Sequence, residues 1–134
     1  MKRLFLLSLF VLGVAMAGYA QKQLRVIALL NKASWCPVCK ANGARFEQNI
    51  LPVIKQNKQI VMGVDDLTDA QTHASSLKKL KQLGIEKFAE ENNATGMLYL
   101  LDARTKNLIN KISLASSNEE IRQTIADALE KVGK

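Results

Sequence analysis

An α/β fold, with a central mixed sheet of about four strands flanked by helices, follows from three observations. Short apolar runs alternate with amphipathic stretches in the order strand, helix, strand, helix, strand, strand, helix. A helix separates the first two strands, which favours a right-handed parallel crossover. Only a short polar turn separates the last two strands, so they pair as an antiparallel hairpin.

Each element has a local reason. Leu24 to Leu30 is almost continuously apolar and reads as a buried strand, followed by a loop over Asn31 to Trp35. Pro37 suits a first helical turn, where its missing N–H costs nothing. From there Val38, Ala41, Ala44 and Phe46 recur at helical spacing, and Pro52 predicts a kink or break before Val53 and Ile54. Ile60 to Val64 is the second strand, ending at Asp65-Asp66. Thr68 or Asp69 caps a helix carrying Ala70, Ala74, Leu77, Leu80 and Leu83; Gly84 interrupts it, and Ile85 to Glu91 adds a further turn or two. Met97 to Leu101 is the third strand. Leu108 to Leu114 is the fourth, with Leu108, Asn110 and Ile112 on one side. Ser117-Asn118-Glu119-Glu120 is a capping box for a last helix, whose Ile121, Ile125, Ala128, Leu129 and Val132 form one stripe.

The N-terminus is read separately. Lys2 and Arg3 precede a run from Leu4 to Ala17 that is apolar apart from Ser8, and small residues follow at Ala15 to Ala20. That pattern describes an export signal over residues 1–20, ahead of one domain over 21–134. An uncleaved membrane anchor is the alternative, though the run falls short of the roughly 20 apolar residues that span a bilayer. The formal charge of +7 comes mainly from scattered lysines with acidic residues between them. A solvated basic surface is expected, and no nucleic-acid binding.

The chemistry concentrates in Ser34-Trp35-Cys36-Pro37-Val38-Cys39-Lys40, which holds both cysteines. A helix beginning at Cys36 puts the first thiol among unpaired backbone N–H groups at the positive end of the macrodipole. A thiolate is favoured there, so the pKa of Cys36 falls below the free-thiol value of about 8.5. Cys39, one turn further in, is placed to attack a mixed disulfide formed at Cys36. A purely structural disulfide is the competing reading, but so short a loop removes little unfolded-state entropy. Two cysteines and the lone His73 fall short of the four ligands of a structural zinc site, and Lys40 stands where covalent haem attachment needs histidine. His73 reads as a solvated residue, and Asp65, Asp66 and Asp69 as stabilisers of a first helical turn. No metal or cofactor beyond a Cys36–Cys39 disulfide is expected.

The order of elements, with Trp35-Cys36-x-x-Cys39-Lys40 directly after a buried strand, resembles the thioredoxin superfamily. The resemblance implies a three-layer sandwich and an exported thiol–disulfide oxidoreductase acting on protein thiols and disulfides. It makes Cys36 the nucleophile, Cys39 the resolving thiol and Trp35 an apolar shelf beside them. Pro37 and Val38 become the pair that tunes redox potential. Two positions depart from the family. Thr95 stands where the family carries a cis-proline that receives substrate, and a trans bond is expected there, since a non-proline cis bond costs about 2.5–4 kcal/mol. Leu30 stands where thioredoxins often bury a carboxylate that deprotonates the resolving thiol. Lys32 and Lys40 are the nearest ionisable side chains in sequence, leaving solvent to take that proton. Val38 brings no imidazole beside Cys36, which favours a reductive direction and a membrane-linked electron donor, or an acceptor if the direction is reversed. The segment Asp65 to Asn93 exceeds the family minimum, as a packed addition to the core or a partner surface. The alternative function is a binding or adaptor protein with a structural or vestigial disulfide.

Overall fold

Strand β1 (Val26–Lys32) runs parallel to β2 (Ile60–Asp66) and antiparallel to β3 (Met97–Asp102), which in turn pairs antiparallel with β4 (Leu108–Ser113). These four strands form one mixed sheet in the order β2-β1-β3-β4 in the computed structural model, which describes residues 23–133. The expected export segment lies outside the described residues. Within them, no helix is long and apolar enough to cross a membrane.

Helices cover both faces because β1 is apolar on both. Val26, Ala28 and Leu30 face a core built with Phe46 of α1 (Pro37–Asn49) and Ile54 of α2 (Leu51–Gln56). Ile121, Ile125 and Ala128 of α5 (Asn118–Lys131) complete that side. Ile27 and Leu29 face the other core, with Leu80 of α3 (Ala70–Gln82) and Ala89 of α4 (Glu86–Glu91). Gly63 lets α3 lie against β2, since a Cβ there would stand 2.7 Å from Leu80 Cδ2. The long insertion between β2 and β3 is thus the second helical layer of the sandwich.

Several expectations hold. The α1–α2 break falls at Ile50, just before Pro52. Asp69 caps α3, and Ser117 and Glu120 form the reciprocal capping box of α5. The described residues contain no cis peptide bond, so the bond before Thr95 is trans.

Three local readings are corrected. β1 continues through Asn31 and Lys32 instead of ending at Leu30, and β2 continues through Asp65 and Asp66. Polar residues extend both strands because their side chains are used: Asn31 Nδ2 donates to the Asn92 carbonyl at 2.6 Å, and Asp65 Oδ1 lies 2.8 Å from His73 Nδ1. His73 is therefore the partner of a fully buried carboxylate, not a solvated side chain. In β4, Ile109 and Ile112 pack on the core while Leu108 is exposed. A register shift between Leu100 and Leu101 breaks the simple alternation there.

Candidate functional site: a dithiol at the exit of the central strand

The sheet topology assembles the site. β1 is central, and the loop from Ala33 to Cys36 leaves its C-terminal end. Because β3 runs antiparallel to β1, its entry at Thr95 and Gly96 lies beside that exit. The Gly96 N–H donates to the Asn31 carbonyl at 2.8 Å, and the Gly96 carbonyl accepts from Leu114 N–H at 2.9 Å. These bonds pin the turn next to the thiols. Gly96 has φ of +71°, and a Cβ there would stand 2.8 Å from Val38 Cγ1 and 3.4 Å from Cys36 Sγ. Only glycine fits so close an approach in that conformation.

Cys36 is the N-cap of α1, with Pro37 following it in the first turn. Its Sγ accepts the Cys39 N–H at 3.2 Å, and the Cys39 thiol donates to it at 2.7 Å; both cysteines are unbridged. Burial is the largest influence on Cys36 and pushes its pKa up. The Cys39 thiol, the Thr95 hydroxyl and the N–H groups of Cys39 and Val38 together outweigh it, and the thiol stands below its ordinary value. Cys39 moves the opposite way, raised first by burial and then by its bond to Cys36. A thiolate at Cys36 and a thiol at Cys39 are the favoured pair of states. Accessibility runs against that order, for Cys36 is only 2% exposed whereas Cys39 is half-buried.

The other predicted residues divide into two groups. Thr95 and Val38 touch the dithiol region, as described. Trp35 is 56% exposed beside it, and its Nε1–H donates to the Thr68 carbonyl at 3.0 Å. Pro37 and Lys40 are exposed on α1. Leu30 is buried in the core beneath the loop, with no charge of its own.

Two residues escaped the reading of the motif. A cavity of about 220 Å³ beside Cys39 is lined by Leu30, Gly43 and Phe46, and also by Lys32, Glu47 and Asp66. Two carboxylates thus line the cavity beside Cys39, where the sequence offered only Lys32, Lys40 and solvent. Glu47 arrives because positions 39, 43 and 47 share one face of α1. Asp66 arrives because β2 pairs in parallel with β1, setting it opposite Lys32. Helical spacing could have found Glu47; Asp66 required the strand register. Asp66 is held ionised chiefly by the Thr68 hydroxyl, and also by the Thr68 N–H and the charge on Lys32. That same hydroxyl accepts the Ser34 N–H at 3.0 Å, so Asp66 also braces the loop before Cys36. Among the described residues, no three His, Cys, Asp or Glu side chains converge to hold a metal.

No family model matches the chain, and no curated protein matches it. It is similar to a solved structure titled "Crystal structure of Trxlp from Edwardsiella tarda EIB202", at 17% identity and a TM-score of 0.46, covering 74% of this chain and 80% of that one. Its own sheet order, strand directions, two helical layers and a Cys-x-x-Cys pair at the exit of the central strand together constitute a thioredoxin-like fold.

Proposed function

We propose that this protein is an exported thiol–disulfide oxidoreductase that reduces disulfides in protein substrates. The observation that carries the reading is the geometry of the pair: Cys36 Sγ caps α1 and accepts both the Cys39 N–H and the Cys39 thiol. In the cycle, the Cys36 thiolate attacks one sulfur of a substrate disulfide. That S–S bond breaks, the leaving sulfur takes a proton, and Cys36 becomes joined to the substrate. Cys39 then gives its proton to solvent at the cavity that Glu47 and Asp66 line, and attacks Cys36 Sγ. The second substrate sulfur leaves as a thiolate, and a Cys36–Cys39 disulfide remains. Two electrons have passed from the dithiol to the substrate, so no further cofactor is required within the cycle. Export requires the regenerating electrons to come from a membrane-linked donor, because cytoplasmic reductants lie on the other side. Trp35, Pro37 and Lys40 form the exposed rim that meets the substrate.

Reduction of insulin by dithiothreitol tests the reading. Wild type should accelerate precipitation of the freed chains, and Cys36→Ser should abolish the acceleration. Cys39→Ser should accumulate mixed disulfides at Cys36. The near-complete burial of Cys36 favours a second reading, an adaptor whose dithiol has lost access to substrate. Equal precipitation rates for wild type and Cys36→Ser, with no trapped species, would establish that reading instead.

A further inference from the structure

Asn31 is the anomaly in β1. Its side chain continues the face of Ile27 and Leu29, where an apolar residue would pack, yet it is fully buried. A buried amide at such a position costs stability unless its hydrogen bonds are used. Two of its bonds go to one short segment, while its buried Oδ1 has no hydrogen-bond partner among the described residues. Its side-chain Nδ2 donates to the Asn92 carbonyl at 2.6 Å, and its own carbonyl accepts the Gly96 N–H at 2.8 Å. One residue therefore holds both ends of the loop from Asn92 to Gly96. That loop carries Gly96, where a Cβ would stand 3.4 Å from Cys36 Sγ, and beside it Thr95, whose hydroxyl helps to lower the Cys36 pKa.

We propose that Asn31 is a positioning residue for the dithiol: it clamps the Asn92–Gly96 loop at both ends and so holds Thr95 and Gly96 in place beside Cys36. The effect passes through Thr95, because Asn31 itself touches neither sulfur in any bond of the structure. Removing the amide frees the Asn92 end while the backbone bond to Gly96 remains. Thr95 and Gly96 are then held less firmly beside Cys36, and the thiolate is less stabilised. The charged groups on the dithiol's cavity, Lys32, Glu47 and Asp66, lie on the opposite face of the sheet from the Asn31 side chain. They are unchanged by this substitution; the titratable pair on Asn31's own face is Asp65, set opposite it in β2, with His73, and it lies across the sheet from that cavity. The inference rests on the proposed redox role of Cys36 but does not need the substrate.

Asn31→Leu and Asn31→Thr, alone and combined with Thr95→Val, test it. The pH midpoint of Cys36 thiolate is read by absorbance at 240 nm and by the rate of alkylation with iodoacetamide. Each Asn31 variant should raise the midpoint, and about half a pH unit would leave about threefold less thiolate at any pH well below the midpoint. Thr95→Val should raise it too, and the double variant should show no more than Thr95→Val alone. An unchanged midpoint in Asn31→Leu or Asn31→Thr, or effects that simply add, would overturn the clamp. In the wild-type protein, the Asn31 side-chain amide and the Gly96 N–H should shift by NMR as Cys36 titrates. Flat resonances would overturn it without any variant. These readouts are separate from insulin reduction, so a failed insulin assay with shifted midpoints retracts the enzymatic reading and leaves the clamp in place.

Discussion

At the scale of single residues, the two sulfurs differ because their donors differ. Cys36 accepts the Cys39 N–H at the cap of α1 and is lowered further by the Thr95 hydroxyl, whereas Cys39 spends its proton on Cys36. Alkylation of reduced protein should therefore modify Cys36 with a midpoint below the free-thiol value of about 8.5, and Cys39 with one above it. Mass mapping of the modified residue across pH checks this. Gly96 is the least replaceable residue beside the pair. Gly96→Ala puts a methyl group within 2.9 Å of Val38 Cβ at a φ of +71°, and should cost about 1–3 kcal/mol in denaturant unfolding. Combining it with Val38→Ala should recover the steric part and leave the backbone part, since the positive φ is disfavoured for any side chain.

At the scale of elements, α1 delivers chemistry from both ends of one face. Its cap holds Cys36, its first turn holds Cys39, and its third turn brings Glu47 to the same cavity that β2 supplies with Asp66. If that cavity takes the proton of Cys39, Glu47→Gln with Asp66→Asn should slow release of the mixed disulfide on the order of tenfold at neutral pH. Attack by Cys36 should be spared. Stopped-flow separation of the two steps decides the matter, and equal slowing of both would assign the carboxylates a structural role only. The other end of the fold is closed by α5, whose stripe seals the α1 face of the sheet. Ser117→Ala removes half of its capping box and should cost about 1 kcal/mol, read by thermal unfolding, without moving the Cys36 midpoint.

At the scale of the molecule, acid should loosen the fold from its surface turns inward. Asp66, Asp102 and Glu120 all stand below the usual carboxylate range. Asp66 is lowered chiefly by the Thr68 hydroxyl, Asp102 by the Thr105 and Arg104 N–H groups, and Glu120 by the Ser117 N–H and hydroxyl. A depressed carboxyl contributes stability that is complete above its unfolded value of about 4 and is lost as pH falls through its folded value. Stability should thus hold steady from neutral pH down to about 5 and decline below about 4, and urea midpoints across that range measure it. The redox potential belongs to this scale as well. A value toward the reducing end, near about −270 mV, would accord with the proposed reductase, and one near about −120 mV would reverse the direction of the cycle.

From the sequence alone come the class of fold, the order of elements, a cap at Thr68 or Asp69, the cap at Ser117, and the pair Cys36 and Cys39. These are local properties: apolar periodicity, turn chemistry and helix capping depend on residues within a few positions of one another. Tertiary structure alone decided what surrounds the dithiol. Asn31 is a loop residue by composition and a buried clamp in the sheet, because folding brings the Asn92 carbonyl and the Gly96 N–H to it. His73 reads as solvated until β2 sets Asp65 beneath it, and Asp66 is a helix-leading acid until the β1–β2 register turns it toward Cys39's cavity. In each case the deciding partner is far away in sequence. A polar side chain's role is set by which donors and acceptors folding places within about 3 Å of it, and spacing along the chain does not carry that distance.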